Sequence, residues 1–61
     1  MEKEHKLVLT DAEREALVNA LQSYLSDLRY EIADTDSHDF REGLKAKRVL
    51  LEKVVTQLQS A

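Results

Sequence analysis

Leu17, Val18, Leu21, Tyr24, Leu25, Leu28 and Ile32 follow one another at three- and four-residue steps, and Phe40, Leu44, Leu51, Val54, Val55 and Leu58 keep a compatible register further on. Such spacing places each set on one face of a 3.6-residue helix. The chain has no proline and no glycine before Gly43, so nothing breaks the first rod until Asp34-Thr35-Asp36-Ser37. The short polar side chains of that cluster compete with a helix for backbone hydrogen bonds. Upstream, Thr10-Asp11-Ala12-Glu13 forms a capping box, with the threonine hydroxyl and the glutamate carboxylate each accepting from a backbone N–H at a helix start. The pattern predicts a helix over 11–33, a loop over 34–37 and a second helix over 38–59, capped by Asp36 or Ser37 and fraying near Gln59. Residues 1–9 form an irregular arm. The fold class is all-α, a two-helix antiparallel hairpin.

Two rods cannot enclose a core. Both stripes are wider than the seam a single neighbour would cover, because Val18, Leu25, Leu50 and Val54 flank the central rows. In a chain of 61 residues a lone core supplies only about 3–5 kcal/mol. Without cysteine, neither disulfides nor a cysteine-built zinc site can staple it. Association is the remaining device, and a homodimer that forms a four-helix bundle buries the flanks. Its core and dimer seam are expected from Leu17, Leu21, Tyr24, Leu25, Leu28, Ile32, Phe40, Leu44, Leu51, Val54, Val55 and Leu58. Charge favours the hairpin too. Residues 11–33 carry five acids against Arg14 and Arg29, and residues 41–61 carry five bases against Glu42 and Glu52, although exposed pairs are each worth only about 0–1 kcal/mol.

Gly43 costs about 1 kcal/mol in a helix interior, which predicts a point where a neighbouring helix or side chain comes close. Glu31, Arg41, Lys45 and Arg48 are placed to form an ion-pair cluster across the hairpin near its loop, fixing helix register. Tyr24 belongs to the core stripe, with its hydroxyl in reach of Lys47 or Arg48.

Little in the chain points to catalysis or to a cofactor. Asp34 to Asp39 alternates acids as a calcium loop does, but the sixth place is Asp39 rather than glycine and the twelfth is Lys45 rather than glutamate. Both the tight turn and the bidentate ligand are therefore missing, and no metal is expected. His5 and His38 lie far apart in sequence, with no recognisable nucleophile beside either. The reading is a non-enzyme without cofactors. The N-terminus lacks an apolar core of the signal-peptide kind, and no run is long enough to span a bilayer, so a cytoplasmic protein without membrane contact is expected.

What remains is binding. Tyr30 beside Arg29 has the composition of an interface hot spot. With the acidic tip it gives Arg29, Tyr30, Asp34, Asp36 and His38 as candidate partner-binding residues. The favoured function is a homodimeric protein-interaction or adaptor module, with another protein as the second candidate partner. The alternative is a DNA-binding or antitoxin-like regulator of ribbon-helix-helix type, suggested by the weak alternation of Lys6-Leu7-Val8-Leu9-Thr10 before a helix. Leu7 and Leu9 stand where base-reading polar side chains would be needed, and a net charge of -3 disfavours nucleic acid as a partner. In the hairpin reading those two leucines fold back over the bundle's end.

The run Leu28-Arg29-Tyr30-Glu31-Ile32-Ala33-Asp34-Thr35-Asp36-Ser37-His38-Asp39-Phe40-Arg41 resembles the hairpin tip of small bacterial helical proteins grouped as domains of unknown function. The resemblance implies a compact cytosolic hairpin of unassigned role, with no activity or catalytic residue.

Overall fold

The computed structural model describes residues 3–60. It contains two helices packed against each other, α1 (Asp11–Asp34) and α2 (His38–Gln59), and no strand among the described residues. Thr10 caps α1 with a full capping box: its hydroxyl accepts from the Glu13 N–H at 3.1 Å, and Glu13 Oε1 accepts from the Thr10 N–H at 2.9 Å. Those paired bonds satisfy two of the orphan donors of the first turn. α1 ends where Thr35 turns extended, its N–H still donating to the Glu31 carbonyl at 3.1 Å. Of the two cap candidates for α2, Ser37 serves, accepting from the Phe40 N–H at 3.4 Å.

The two helices meet along one heptad row each. In α1 the row is Arg14, Val18, Leu21, Leu25, Leu28 and Ile32; in α2 it is Arg41, Leu44, Arg48, Leu51, Val55 and Leu58. Apart from Leu17, these are the only helical residues that are not exposed. Steps of three and four keep a row facing its partner over several turns, the geometry of a two-stranded coiled coil. Val18, Leu25, Leu28 and Val55 are the buried core, and Leu28, at 1% exposure, is the one side chain fully enclosed.

Neither helix carries a basic residue in its last turn, where unpaired carbonyls concentrate negative charge. Each borrows one from the start of the other. Arg14 Nη1 donates to the Leu58 carbonyl at 3.3 Å, and Arg41 Nη2 donates to the Thr35 carbonyl at 2.5 Å. Two guanidinium groups therefore tie the opposite ends of the hairpin and fix its antiparallel register.

Several expectations are corrected here. A side chain built at Gly43 would meet nothing within 4 Å, so no neighbour of the same chain approaches it. The cluster of Glu31, Arg41, Lys45 and Arg48 does not form among the described residues. Lys45 pairs with Glu42 at 3.5 Å and Arg48 with Glu52 at 3.6 Å, both inside α2, because neighbours on one helix are reached with less ordering of long side chains than a partner across the seam. The opposite charges of the two helices therefore act at a distance and not through contact pairs. Val18 belongs to the core, whereas Tyr24, Phe40 and Val54 are exposed in the single hairpin, Phe40 at 59%. One neighbouring rod covers only one heptad row, and these three lie outside it. Leu9 is partly covered, but Leu7 is 70% exposed and does not fold over the bundle's end.

Candidate functional site

The hairpin is one helix layer thick, with Cα extents of 40 × 29 × 13 Å, so both broad faces and the tip are open to a partner. At the tip, Tyr30, Glu31, Asp34, Thr35 and Phe40 line a shallow depression. Tyr30 and Phe40 supply its apolar surface, 71% and 59% exposed, and the two carboxylates stand at its edge. Phe40 reaches it because helical side chains lean toward the N-terminus, and in the first turn of α2 that direction runs past the helix end to the loop. The apolar period assigned Phe40 to the seam; its place in the first turn was the signal for the tip.

One broad face carries a polar groove. Leu25 and Val55 form its floor, and Gln22, Ser26, Arg29, Glu52 and Thr56 rim it. The Thr56 hydroxyl is occupied, donating to the Glu52 carbonyl at 3.0 Å. The five candidate binding residues are thus divided: Tyr30 and Asp34 meet at the tip, Arg29 lies in the groove, and Asp36 and His38 are exposed and line neither.

The other broad face carries the exposed apolar side chains of Tyr24, Leu50 and Val54 beside Lys47. Lys47 Nζ sits 5.1 Å from the Tyr24 ring centroid, which places Tyr24 and Lys47 on the same side of the hairpin. Along α2 the row through Lys47 is Phe40, Gly43, Lys47, Leu50, Val54 and Gln57, a second heptad row beside the seam. Leu50 is 61% exposed and Val54 40%. Along α1 the matching row is Leu17, Ala20, Tyr24, Asp27 and Glu31. The Tyr24 hydroxyl, through hydrogen bonding and then through its charge, and Glu31 more weakly, hold Lys47 protonated above the usual lysine range.

No three of the described histidine, aspartate and glutamate side chains come together to hold a metal ion, and among the described residues no helix is long and apolar enough to cross a membrane. No protein-family model, curated protein or solved structure matches the chain.

Proposed function

We propose that this hairpin is a non-catalytic protein-interaction module that works as a homodimer, two copies assembling into a four-helix bundle in a cytoplasmic setting. One observation carries the reading: the structure is a single layer with four buried side chains, and the apolar residues beyond its seam are left open to solvent. Stable domains are built from at least two packed layers, and burying a side chain such as Leu or Phe contributes about 1.5–3 kcal/mol. A second layer covers apolar side chains that the lone hairpin leaves open. Pairing through the apolar face leaves the tip depression and the polar groove free, so the adaptor function falls to Tyr30, Phe40 and Arg29.

Sedimentation equilibrium of the full chain tests this. A dimer whose helicity falls on dilution is the expected outcome. A chain that stays monomeric and fully helical defeats the proposal.

A further inference from the structure

We infer that the apolar face built on Leu17, Tyr24, Leu50 and Val54 docks the same face of a second copy, with α1 of each chain lying over α2 of the other about a two-fold axis parallel to the helices. The inference rests on the homodimer reading and adds to it the surface, the partner helix and the register. Area is sufficient: helices of 24 and 22 residues are about 33–36 Å long and together about 20 Å wide with their side chains, so one face approaches the roughly 800 Å² per partner of an ordinary specific interface.

Charge selects the second copy and its orientation. The described part of the molecule has an acidic helix and a basic one: α1 carries Asp11, Glu13, Glu15, Asp27, Glu31 and Asp34 against two arginines, and α2 carries five bases against three acids. An axis parallel to the helices stacks acidic α1 on the basic α2 of the partner at both places. The perpendicular axis would stack α1 on α1 and α2 on α2, with like charges opposed.

Register supplies a second, independent argument. Arg14 is level with Leu58, and Tyr24 with Lys47. A two-fold axis along the helices preserves those levels between copies. Leu17 then meets the partner's Val54, Ala20 meets the partner's Leu50, Tyr24 meets the partner's Lys47, and Asp27 meets the partner's Gly43. The large side chain of Leu50 is set against the small one of Ala20, and Gly43, with nothing of its own chain within 4 Å, leaves room for the approach. An exposed glycine in the interior of α2 has no explanation within one chain, and this packing supplies one.

Two measurements on the full chain test the arrangement. Gly43→Glu adds a better helix former and an i,i+4 partner for Lys47 within the chain, while setting bulk and negative charge against the partner's Asp27. Dimer dissociation should become at least about tenfold easier, as for an overpacked contact. Because a dissociated variant could also lose helix, cross-linking provides the second readout. The described residues include no cysteine. A mixture of Ala20→Cys and Leu50→Cys chains should form a disulfide-linked heterodimer, and Leu50→Cys alone should not link to itself. A dimer that keeps its affinity with Gly43→Glu, or that links Leu50→Cys to itself and not to Ala20→Cys, overturns this face and register and leaves the homodimer standing. A wild-type chain that sediments only as a monomer removes both.

Discussion

Arg14 and Leu58 lie 44 residues apart, yet the guanidinium Nη1 of the first donates to the carbonyl oxygen of the second at 3.3 Å. Arg41 makes the equivalent bond to the Thr35 carbonyl at the other end of the hairpin. In both cases a cation from the beginning of one helix neutralises the negative end of its neighbour, which lacks a basic residue in its own last turn. The pair acts as a register lock: slipping α2 by one turn would break both bonds together.

Removing either arginine should loosen the end it serves. Arg14→Ala is expected to fray the last turn of α2, and Arg41→Ala the last turn of α1. Each should cost about 1 kcal/mol, below the usual range for bonds to charged groups because both sites are partly solvated. Amide hydrogen exchange resolves the two ends separately. Equal loosening at both ends in both variants would show that the bonds act globally and not as terminal locks.

Core truncations should rank by enclosure. Leu28 is 1% exposed, while Leu51 on the facing row is only partly buried. Leu28→Ala is expected to cost about 3 kcal/mol, enough to unfold most of so small a molecule, and Leu51→Ala about 1–2 kcal/mol. Leu28→Asp, which leaves a charge unpaired in the seam, should abolish helicity and association together. Helical content by circular dichroism against urea checks the order. A reversed ranking would mean that α2 is rotated about its axis from the position described.

The two helix starts should differ as their bonds do. Thr10 and Glu13 satisfy each other's N–H groups at 3.1 and 2.9 Å, whereas the Ser37 bond is a single one of 3.4 Å. Thr10→Ala should cost about 1 kcal/mol and Ser37→Ala a few tenths, roughly. The box is also pH-dependent. The backbone N–H of Thr10, and then its side chain, hold the Glu13 carboxyl below its usual value of 4.5. A carboxyl depressed on folding contributes stability that is complete above the unfolded value and lost as pH falls through the folded one. Acidification below 4.5 should therefore melt the first turn of α1, and Glu13→Ala should flatten that part of the profile. An unchanged acid limb in Glu13→Ala would assign the transition to another group.

Helix boundaries and the tip were readable from residues because their causes are local. A capping box, a cluster of four short polar side chains and uninterrupted apolar periods fix where rods start and stop, whatever surrounds them. Which apolar residues are covered depends on the neighbour, and periodicity does not report it. A stripe of seven apolar positions on α1 contains two overlapping heptad rows; the antiparallel partner covers the one through Val18, Leu25 and Leu28 and leaves Tyr24 outside. Gly43 follows the same rule: a helical glycine signals a close approach without saying by what, and nothing of its own chain comes within 4 Å. The arginine bonds at the hairpin's ends are not legible in the sequence because they join residues whose levels are set only once the seam register is known. Among candidate binding residues, Tyr30 and Asp34 were legible as neighbours on α1, one turn apart. Arg29, beside Tyr30 in sequence, points elsewhere because adjacent helical residues diverge by about 100°.

The Tyr24–Lys47 contact gives the last prediction. Two parts of the tyrosine act on the ammonium: the ring face, 5.1 Å away at its centroid, and the hydroxyl. Only the hydroxyl hydrogen-bonds and ionises, so Tyr24→Phe keeps the ring and removes the main cause of the raised lysine pKa. Lys47 should then titrate closer to its usual value of 10.5, as followed through its side-chain NMR shifts. The sign for stability follows from the direction of the shift. A lysine raised on folding contributes stability that is complete below its unfolded value and lost as pH climbs through the folded one. Wild type and Tyr24→Phe should therefore keep a constant stability difference from neutral pH upward, and converge only on the alkaline side of 10.5. Convergence near neutral pH would place the coupling on another group, and an unmoved Lys47 titration in Tyr24→Phe would assign the shift to Glu31.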